Sequence, residues 1–325
     1  MKNETPQPLV SFIVTCYNIP EPLLAECLTS IRAVSLPKGE MELIVVDDGS
    51  DSNPLPALKE LADDGLIYVR QHNQGLSMAR NLGLRMATGR YVQFVDGDDR
   101  LVRSAYEHCL EVVRQKSPDM LMFSLTTDEK TDAVDRAVSG PVSGVDYLSH
   151  NNLHATACGY LFKRSALGEL RFRSGIYHED EEFTPLLLLR ADTVCSTGAK
   201  AYYYRSRPHS ITTETNARQT LKRLNDGKSV IVRLNAIADT LPARERTAIQ
   251  RRVAQLTMDY IYNIIVQTQN RHYLERQLEK LRKEGLFPLP DRNYTKKYAW
   301  FRRMSQTAWG RSVMMRVILM LKREE

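Results

Sequence analysis

Cysteine is sparse in this chain. Cys16, Cys27, Cys109, Cys158 and Cys195 are scattered through 325 residues, odd in number and with no C-x-x-C pair. That spacing argues against a disulfide framework and a zinc site and fits a reducing compartment. The thiols read as small buried residues. Long hydrophobic runs are missing too. Crossing a bilayer takes about 20 apolar residues, whereas the longest candidate, Val313 to Leu321, is short and broken by Arg316. Met1 to Pro8 is polar and lacks a basic segment followed by an apolar one, so no signal peptide is read there. A cytoplasmic protein is expected, with room for peripheral contact at the inner face of the membrane. No internal repeat or low-complexity tract stands out.

What is present is ordinary for a folded protein: 42% hydrophobic and 26% charged residues. A chain of this length buries a sizeable core and exceeds one minimal domain, so a catalytic domain with a helical appendage is expected. The formal net charge of +6 is unevenly spread. Arg271 to Glu325 holds 14 Lys+Arg against 6 Asp+Glu, a local +8, which leaves −2 for everything before it.

Short apolar runs alternate with helical patterns through the first two thirds. Leu9–Thr15, Met41–Val46, Leu66–Val69, Tyr91–Val95 and Met120–Leu125 read as strands, several with β-branched or aromatic residues. Glu21–Ser35, Pro54–Ala62, Leu76–Ala87 and Val102–Gln115 read as helices, the third stopping at Gly89. Asp128–Gly144 reads as a loop or irregular hairpin, and Val145–Tyr204 as a second αβ stretch. Alternation of this kind predicts an α/β fold with a mostly parallel sheet. After Thr215 the pattern turns helical, over Leu221–Ala238, Glu245–Gln267 and His272–Lys283. Domains of 1–214 and 215–325 follow, with the boundary near Ile211 to Ala217.

Ligands of wound parallel sheets sit beyond the carboxyl ends of the strands. Three polar segments fall there: Thr15 to Asn18, Asp47-Asp48-Gly49-Ser50 and Asp96-Gly97-Asp98-Asp99. The last places three carboxylates within four residues, which repel unless a cation or donors sit among them. A hard divalent ion held by one or two carboxylates and by substrate phosphates suits the arrangement; a solvated acidic turn is the bland alternative. Asp48 suits a base or ribose contact, or equally an Asx turn. Tyr17 could stack on a base or simply pack. Arg80, early in a helix, could meet a phosphate bidentately or lie on an amphipathic surface. His178-Glu179-Asp180-Glu181-Glu182 opens a helix, where acids favour the dipole; one of them could instead be a general base. Tyr202 to Ser210 mixes aromatics, cations and hydroxyls, either to cover a diphosphate or as an edge strand with a basic turn.

The order of these clusters carries a resemblance. Val10–Asn18, Val45-Val-Asp-Asp-Gly-Ser50, Asn73-Gln-Gly-Leu-Ser-Met-Ala-Arg-Asn81 and Gly89–Asp99 together resemble a family 2 glycosyltransferase, densely over the first third and sparsely to about Ile211. The resemblance implies a GT-A αβα sandwich whose D-x-D motif binds Mn²⁺ or Mg²⁺, and a helical region after it. It implies inverting transfer from a nucleotide-sugar donor, UDP-linked, to a saccharide or lipid-linked acceptor in cell-envelope polysaccharide biosynthesis. Carried across, Thr15 and Tyr17 border the base, Asp48 contacts the base edge, and Asp96 serves ribose or metal. Asp98 ligates the metal, Arg80 belongs to the donor site, Arg205 touches the diphosphate, and Glu179-Asp180 matches the E-D motif with Asp180 as base. One departure is Ala157-Cys158-Gly159-Tyr160 before Lys163-Arg164, where many members carry Trp.

The tail from Tyr298 to Lys322 sets Trp309, Val313 and Val317 at spacings of four among Arg residues. It reads as an interfacial helix on anionic lipid, or as a helix packed on the protein or on a second copy in a homo-oligomer. Two rival functions remain: a sugar-phosphate nucleotidyltransferase, and a non-catalytic basic nucleic-acid-binding protein. No nucleic-acid motif supports the latter, and a nucleic-acid partner is not expected.

Overall fold

The computed structural model describes residues 7–59, 65–130, 134–206 and 216–324. The chain divides into two compact units: Met1–Tyr147 with His154–Thr213, and Leu148–Leu153 with Glu214–Glu325.

The first unit is built on one sheet. Its strands are β1 (Val10–Cys16), β2 (Met41–Asp47), β3 (Leu66–Arg70), β4 (Tyr91–Asp96), β5 (Arg100–Leu101), β6 (Met120–Thr126), β7 (Val138–Val142), β8 (Tyr160–Lys163) and β9 (Val194–Tyr203). The order is β3-β2-β1-β4-β8-β6-β9-β5, with β7 also on β9. The pairs β1–β2, β1–β4, β2–β3 and β6–β9 are parallel, while β8, β5 and β7 run against their neighbours. The sheet is therefore mostly parallel, with β8 inserted in the opposite sense. Every residue of β1 is buried, as a strand covered on both faces requires, which is why its sequence is a continuous apolar run rather than an alternation.

Helices α1 (Glu21–Arg32), α2 (Leu55–Lys59), α3 (Leu76–Met86) and α4 (Arg103–Lys116) link the strands, followed by α5 (Gly144–His150) and α6 (Glu179–Leu188). Of the Pro54–Ala62 segment, Leu55–Lys59 is helical (α2), and residues 60–64 lie outside the described residues. The 128–144 segment is not all loop, because Val138–Val142 pairs with β9. Nor is the Tyr202 region an edge strand: β9 bonds to β6 on one side and to β5 and β7 on the other.

The second unit is helical: α7 (Ala217–Thr240), α8 (Ala243–Thr268), α9 (Arg271–Lys283), α10 (Lys296–Gln306) and α11 (Ala308–Glu324). Its core gathers Leu234, Ile261, Ile264, Leu274, Leu278 and Met314, all essentially without solvent contact. Asn216 and Asn270 open α7 and α9 by accepting the Gln219 and Tyr273 N–H groups, the usual satisfaction of orphan donors at a helix start. The tail is two helices, not one: Thr307 is extended and its hydroxyl accepts the Gly310 N–H at 3.0 Å, capping α11. Among the described residues no helix is long and apolar enough to cross a membrane. All five cysteines are free and buried.

Candidate active site

Strands β1, β2 and β4 run in parallel register, so Thr15, Asp47 and Asp96 end up side by side: Thr15 pairs with Val46 and with Asp96, and Cys16 with Asp47. The chain then turns sharply. Gly97 donates to the Thr15 carbonyl at 2.9 Å. A Cβ on Gly97 would lie 2.9 Å from that oxygen, so the turn requires a residue without one.

The two Asp pairs have different occupations. Asp47 is fully buried and accepts from Ser50 N–H at 2.9 Å and from the Tyr68 hydroxyl at 3.1 Å. The Asp48 carboxylate accepts from Gln71 Nε2 at 2.7 Å, Gln74 N–H at 2.9 Å and Gly75 N–H at 2.8 Å. Asp48 thus holds the loop that launches α3, where Gly75 sits at φ +86°. Tyr17, 47% exposed, and the left-handed Asn18 follow β1; Asn18 is fixed by Ser50 and Asp51.

Arg80 is the centre of the arrangement. It is 3% exposed, and its terminal nitrogens donate to Asp96 Oδ1 at 2.9 Å and to Glu179 Oε1 at 2.8 Å. The rings of Phe94 and Phe172 lie 5.9 and 5.5 Å from the guanidinium carbon. A buried guanidinium costs free energy unless paired; here burial is outweighed by Asp96, Glu179 and Asp180, which hold the proton on. Arg80 therefore ties the strand-end acids to the acids of α6.

Asp96 is shared further. Thr15 Oγ1 lies 3.4 Å from Oδ1, and the Cys158 thiol points at Oδ2 from 3.5 Å. The motif position where many family members carry Trp thus holds a small buried thiol against the acid cluster. Burial pushes that thiol well above its ordinary range, with the Asp96 charge adding to the effect, so it packs as a neutral group. The following Lys163 pairs with Asp119 at 2.8 Å, and Arg164 bonds the Gly89 carbonyl.

Asp99 and Tyr202 form a unit that the sequence did not single out. The Tyr202 hydroxyl donates to Asp99 Oδ2 at 2.7 Å and accepts the Asp96 N–H at 3.0 Å. Burial and the charges of Asp96 and Asp98 push the Asp99 carboxyl up to about 8, against the pull of the Arg205 N–H and the Tyr202 hydroxyl. Arg205 also donates to the Asp98 carbonyl at 3.0 Å and to Glu26 at 2.7 Å. Its guanidinium thus braces the acidic turn from outside. Residues 207–210 of the Tyr204–Ser210 motif lie outside the described residues.

On α6, His178 is left-handed (φ 65°) and Glu179 through Glu182 fill the first turn. Burial, reinforced by Glu179 and Glu181, pushes the Asp180 carboxyl well above the ordinary range, and Arg80 opposes this. The structure therefore brings Thr15, Asp96, Arg80 and Glu179 together through direct contacts. Asp48 anchors a neighbouring loop, and Arg205 contacts the Asp98–Asp99 turn. Glu26 is an addition, and so are the contacts that draw Asp99, Tyr202 and Cys158, each read only as part of a longer motif, onto this cluster.

Among the described residues no three His, Cys, Asp or Glu side chains gather into a ready-made metal cage. Asp96 and the half-buried Asp98 supply hard oxygen donors, and such a pair fits a divalent cation whose remaining ligands come from phosphates and water.

Sheet order, strand-end acids and flanking helices are those of a GT-A fold. Residues 11–171 match the model described as Glycosyl transferase family 2, and this region belongs to that family. It is 29% identical over 220 residues to "Uncharacterized glycosyltransferase EpsJ" of Bacillus subtilis (strain 168), covering 63% of each chain. It is 30% identical over 228 residues to "Glycosyltransferase GlyA" of Streptococcus pneumoniae, covering 62% of this chain and 31% of that protein. The chain thus spans less than two thirds of either relative. In fold it is similar to S. aureus TarS 1-349 in complex with UDP-GlcNAc, with TM-score 0.60, 17% identity and 91% coverage of both chains. It is also similar to the mannosyltransferase PcManGT from Pyrobaculum calidifontis in complex with GDP-Man and Mn²⁺, with TM-score 0.58, 16% identity, and 97% of this chain and 86% of that one covered. At these identities the likeness concerns the fold alone.

Proposed function

We propose that this glycosyltransferase moves a sugar from a nucleoside-diphosphate donor, UDP-linked, to a hydroxyl of a saccharide or lipid-linked acceptor, with inversion at the anomeric carbon. The observation that carries the reading is the Arg80 bridge. It joins Asp96, at the end of the strand that opens the donor motif, to Glu179, in the motif expected to hold the base. A structural core has little need for a buried cation between two acid groups so far apart in sequence; a reaction that must hold donor and base in register does.

Asp180 is the proposed base. Its carboxyl binds a proton more readily than an ordinary aspartate, which suits a group that takes one from an attacking hydroxyl. Glu179, tied to Arg80, keeps the start of α6 in place. The hydroxyl then attacks C1 from the face opposite the diphosphate, through an oxocarbenium-like transition state. Thr15 and Tyr17 border the nucleoside, and Asp48 shapes the base pocket through the loop it anchors. Arg205, which braces the acidic turn, is the proposed contact to the diphosphate. Asp98 and Asp96 would hold Mn²⁺ or Mg²⁺, which when bound offsets charge on the departing diphosphate.

Residues 1–214 form the catalytic domain in this reading and 215–325 an accessory helical region. Relatives named for poly(ribitol-phosphate) transfer, such as TarP of Staphylococcus aureus (strain N315), 25% identical over 232 residues, support an acceptor in cell-envelope polysaccharide. The test is a panel of nucleotide sugars with Mn²⁺, scored by thermal shift and by release of nucleoside diphosphate. A UDP-sugar should stabilise the protein, since binding to the native state raises its melting temperature. Stabilisation by a guanosine donor alone would replace the nucleotide assigned, and stabilisation by none would remove the reading.

A further inference from the structure

The second unit carries a charge quite unlike the first. Glu214–Glu325 contains 23 Lys+Arg and 11 Asp+Glu, a net of +12. Its last two helices are the extreme case: from Arg292 to Arg323 there are nine basic residues and no acidic one. Part of this charge is neutralised inside the unit. Arg302 pairs with Asp291, and Arg311 holds Glu275 through two 2.8 Å bonds. Lys296, Lys297, Arg303, Arg316 and Lys322 are exposed.

Helix α11 is apolar on two sides. Met314, Met315 and Ile318 are buried and pack the helix into its unit. Trp309, Val313, Val317 and Met320 recur at spacings of four and three, which places them along one other stripe of the helix. There Trp309 is 74% exposed and Met320 57%, with Leu321 beside them at 54% and the valines half-buried. A helix side facing water is normally polar; this one breaks its apolar run only at Arg316.

Charge selects the occupant. A second copy docking through the same face would set two strongly basic helix pairs against each other, because a two-fold contact uses the same patch twice. A nucleic acid would engage the cations and leave Trp309, Met320 and Leu321 without a partner. An anionic bilayer surface satisfies both: phosphates for the cations, and the headgroup–acyl boundary for the Trp, Met, Leu and Val side chains.

We propose that α11, flanked by the cations of α10, is a docking surface for an anionic lipid bilayer. Trp309, Val313, Val317, Met320 and Leu321 enter the boundary region, and Arg316, beside that stripe, meets the headgroups. This placement is independent of the reaction assigned to the other unit.

The chain supplies its own probe, because its only two tryptophans, Trp300 and Trp309, lie on α10 and α11. Full-length protein mixed with phosphatidylcholine–phosphatidylglycerol vesicles should co-sediment and show a blue-shifted emission that brominated acyl chains quench. Vesicles of phosphatidylcholine alone should pellet much less protein. The Met320→Ser/Leu321→Ser variant, altered only at exposed positions, should keep its helix content and melting temperature and lose most of the pelleting. Arg316→Glu should weaken partitioning by at least about fivefold. Pelleting without a blue shift, displaced by soluble polyphosphate, would overturn the proposal in favour of plain charge binding. Equal pelleting of wild type and the serine variant would overturn it too. So would concentration-dependent self-association that the serine variant abolishes, which would assign the stripe to a second copy.

Discussion

Arg80 reaches Asp96 at 2.9 Å with one nitrogen and Glu179 at 2.8 Å with the other. Both bonds come from a side chain on α3, and they fix the distance between the end of β4 and the start of α6.

Removing that cation leaves two acids facing each other without a counter-charge. Arg80→Met should destabilise the protein by about 3–5 kcal/mol, the cost of breaking a buried pair from one side. Chemical denaturation checks this. Arg80→Lys keeps the charge but cannot fork between the two carboxylates; its stability loss should be smaller, and turnover should fall by about a hundredfold through misplacement alone. Steady-state kinetics should show that loss in kcat more than in KM.

The two acidic motifs should separate by phenotype. Asp180→Asn should retain donor affinity and lose transfer, whereas Asp98→Ala should lose metal-dependent donor binding. Calorimetric titration of UDP with Mn²⁺, next to a transfer assay, distinguishes them. If Asp180→Asn transfers normally and Glu179→Gln or Glu181→Gln is the inactive variant, the base lies elsewhere on α6.

Tyr202 should matter although it lies under the acid cluster. Tyr202→Phe strips Asp99 of one donor and the Asp96 N–H of its acceptor in a buried setting. The loss should be about 1–3 kcal/mol, measured by denaturant unfolding.

Asp99 should leave a mark on stability against pH. Its carboxyl is raised to about 8 when folded, against about 3.9 in an unfolded chain. The folded state therefore binds the extra proton. Its contribution is fully present below the unfolded value and is lost as pH rises through the folded one. In chelator-treated protein, melting curves from pH 5 to pH 9 should show a decline that Asp99→Asn flattens. An unchanged decline in the variant would assign it to another group.

Much of this arrangement was readable beforehand, for a physical reason. β1, β2 and β4 are buried on both faces, so their sequences are mostly apolar, with Ser11, Glu42 and Gln93 as buried exceptions, and the acids that end β2 and β4 stand out. Parallel register then brings Thr15, Asp47 and Asp96 abreast. What the sequence hid depends on contacts between distant segments. Arg80 looked like a phosphate ligand because nothing local reveals a partner 99 positions away. Asp48 read equally as a base or ribose contact and as an Asx turn, and its hold on the 71–75 loop was hidden because two of its three donors are backbone N–H groups more than 20 positions away. Strands of two and four residues, Arg100–Leu101 and Tyr160–Lys163, are too short to carry a period. The break at Thr307 carries no glycine or proline to mark it in the sequence.

The most direct measurement is acceptor-dependent release of nucleoside diphosphate from a UDP-sugar by the full-length protein with Mn²⁺, run beside Asp98→Ala and Asp180→Asn. Release by the wild type that both substitutions abolish, with UDP affinity surviving only in Asp180→Asn, is the predicted result. Release that persists at the wild-type rate in both variants would contradict the assignment of donor site and base to these two motifs.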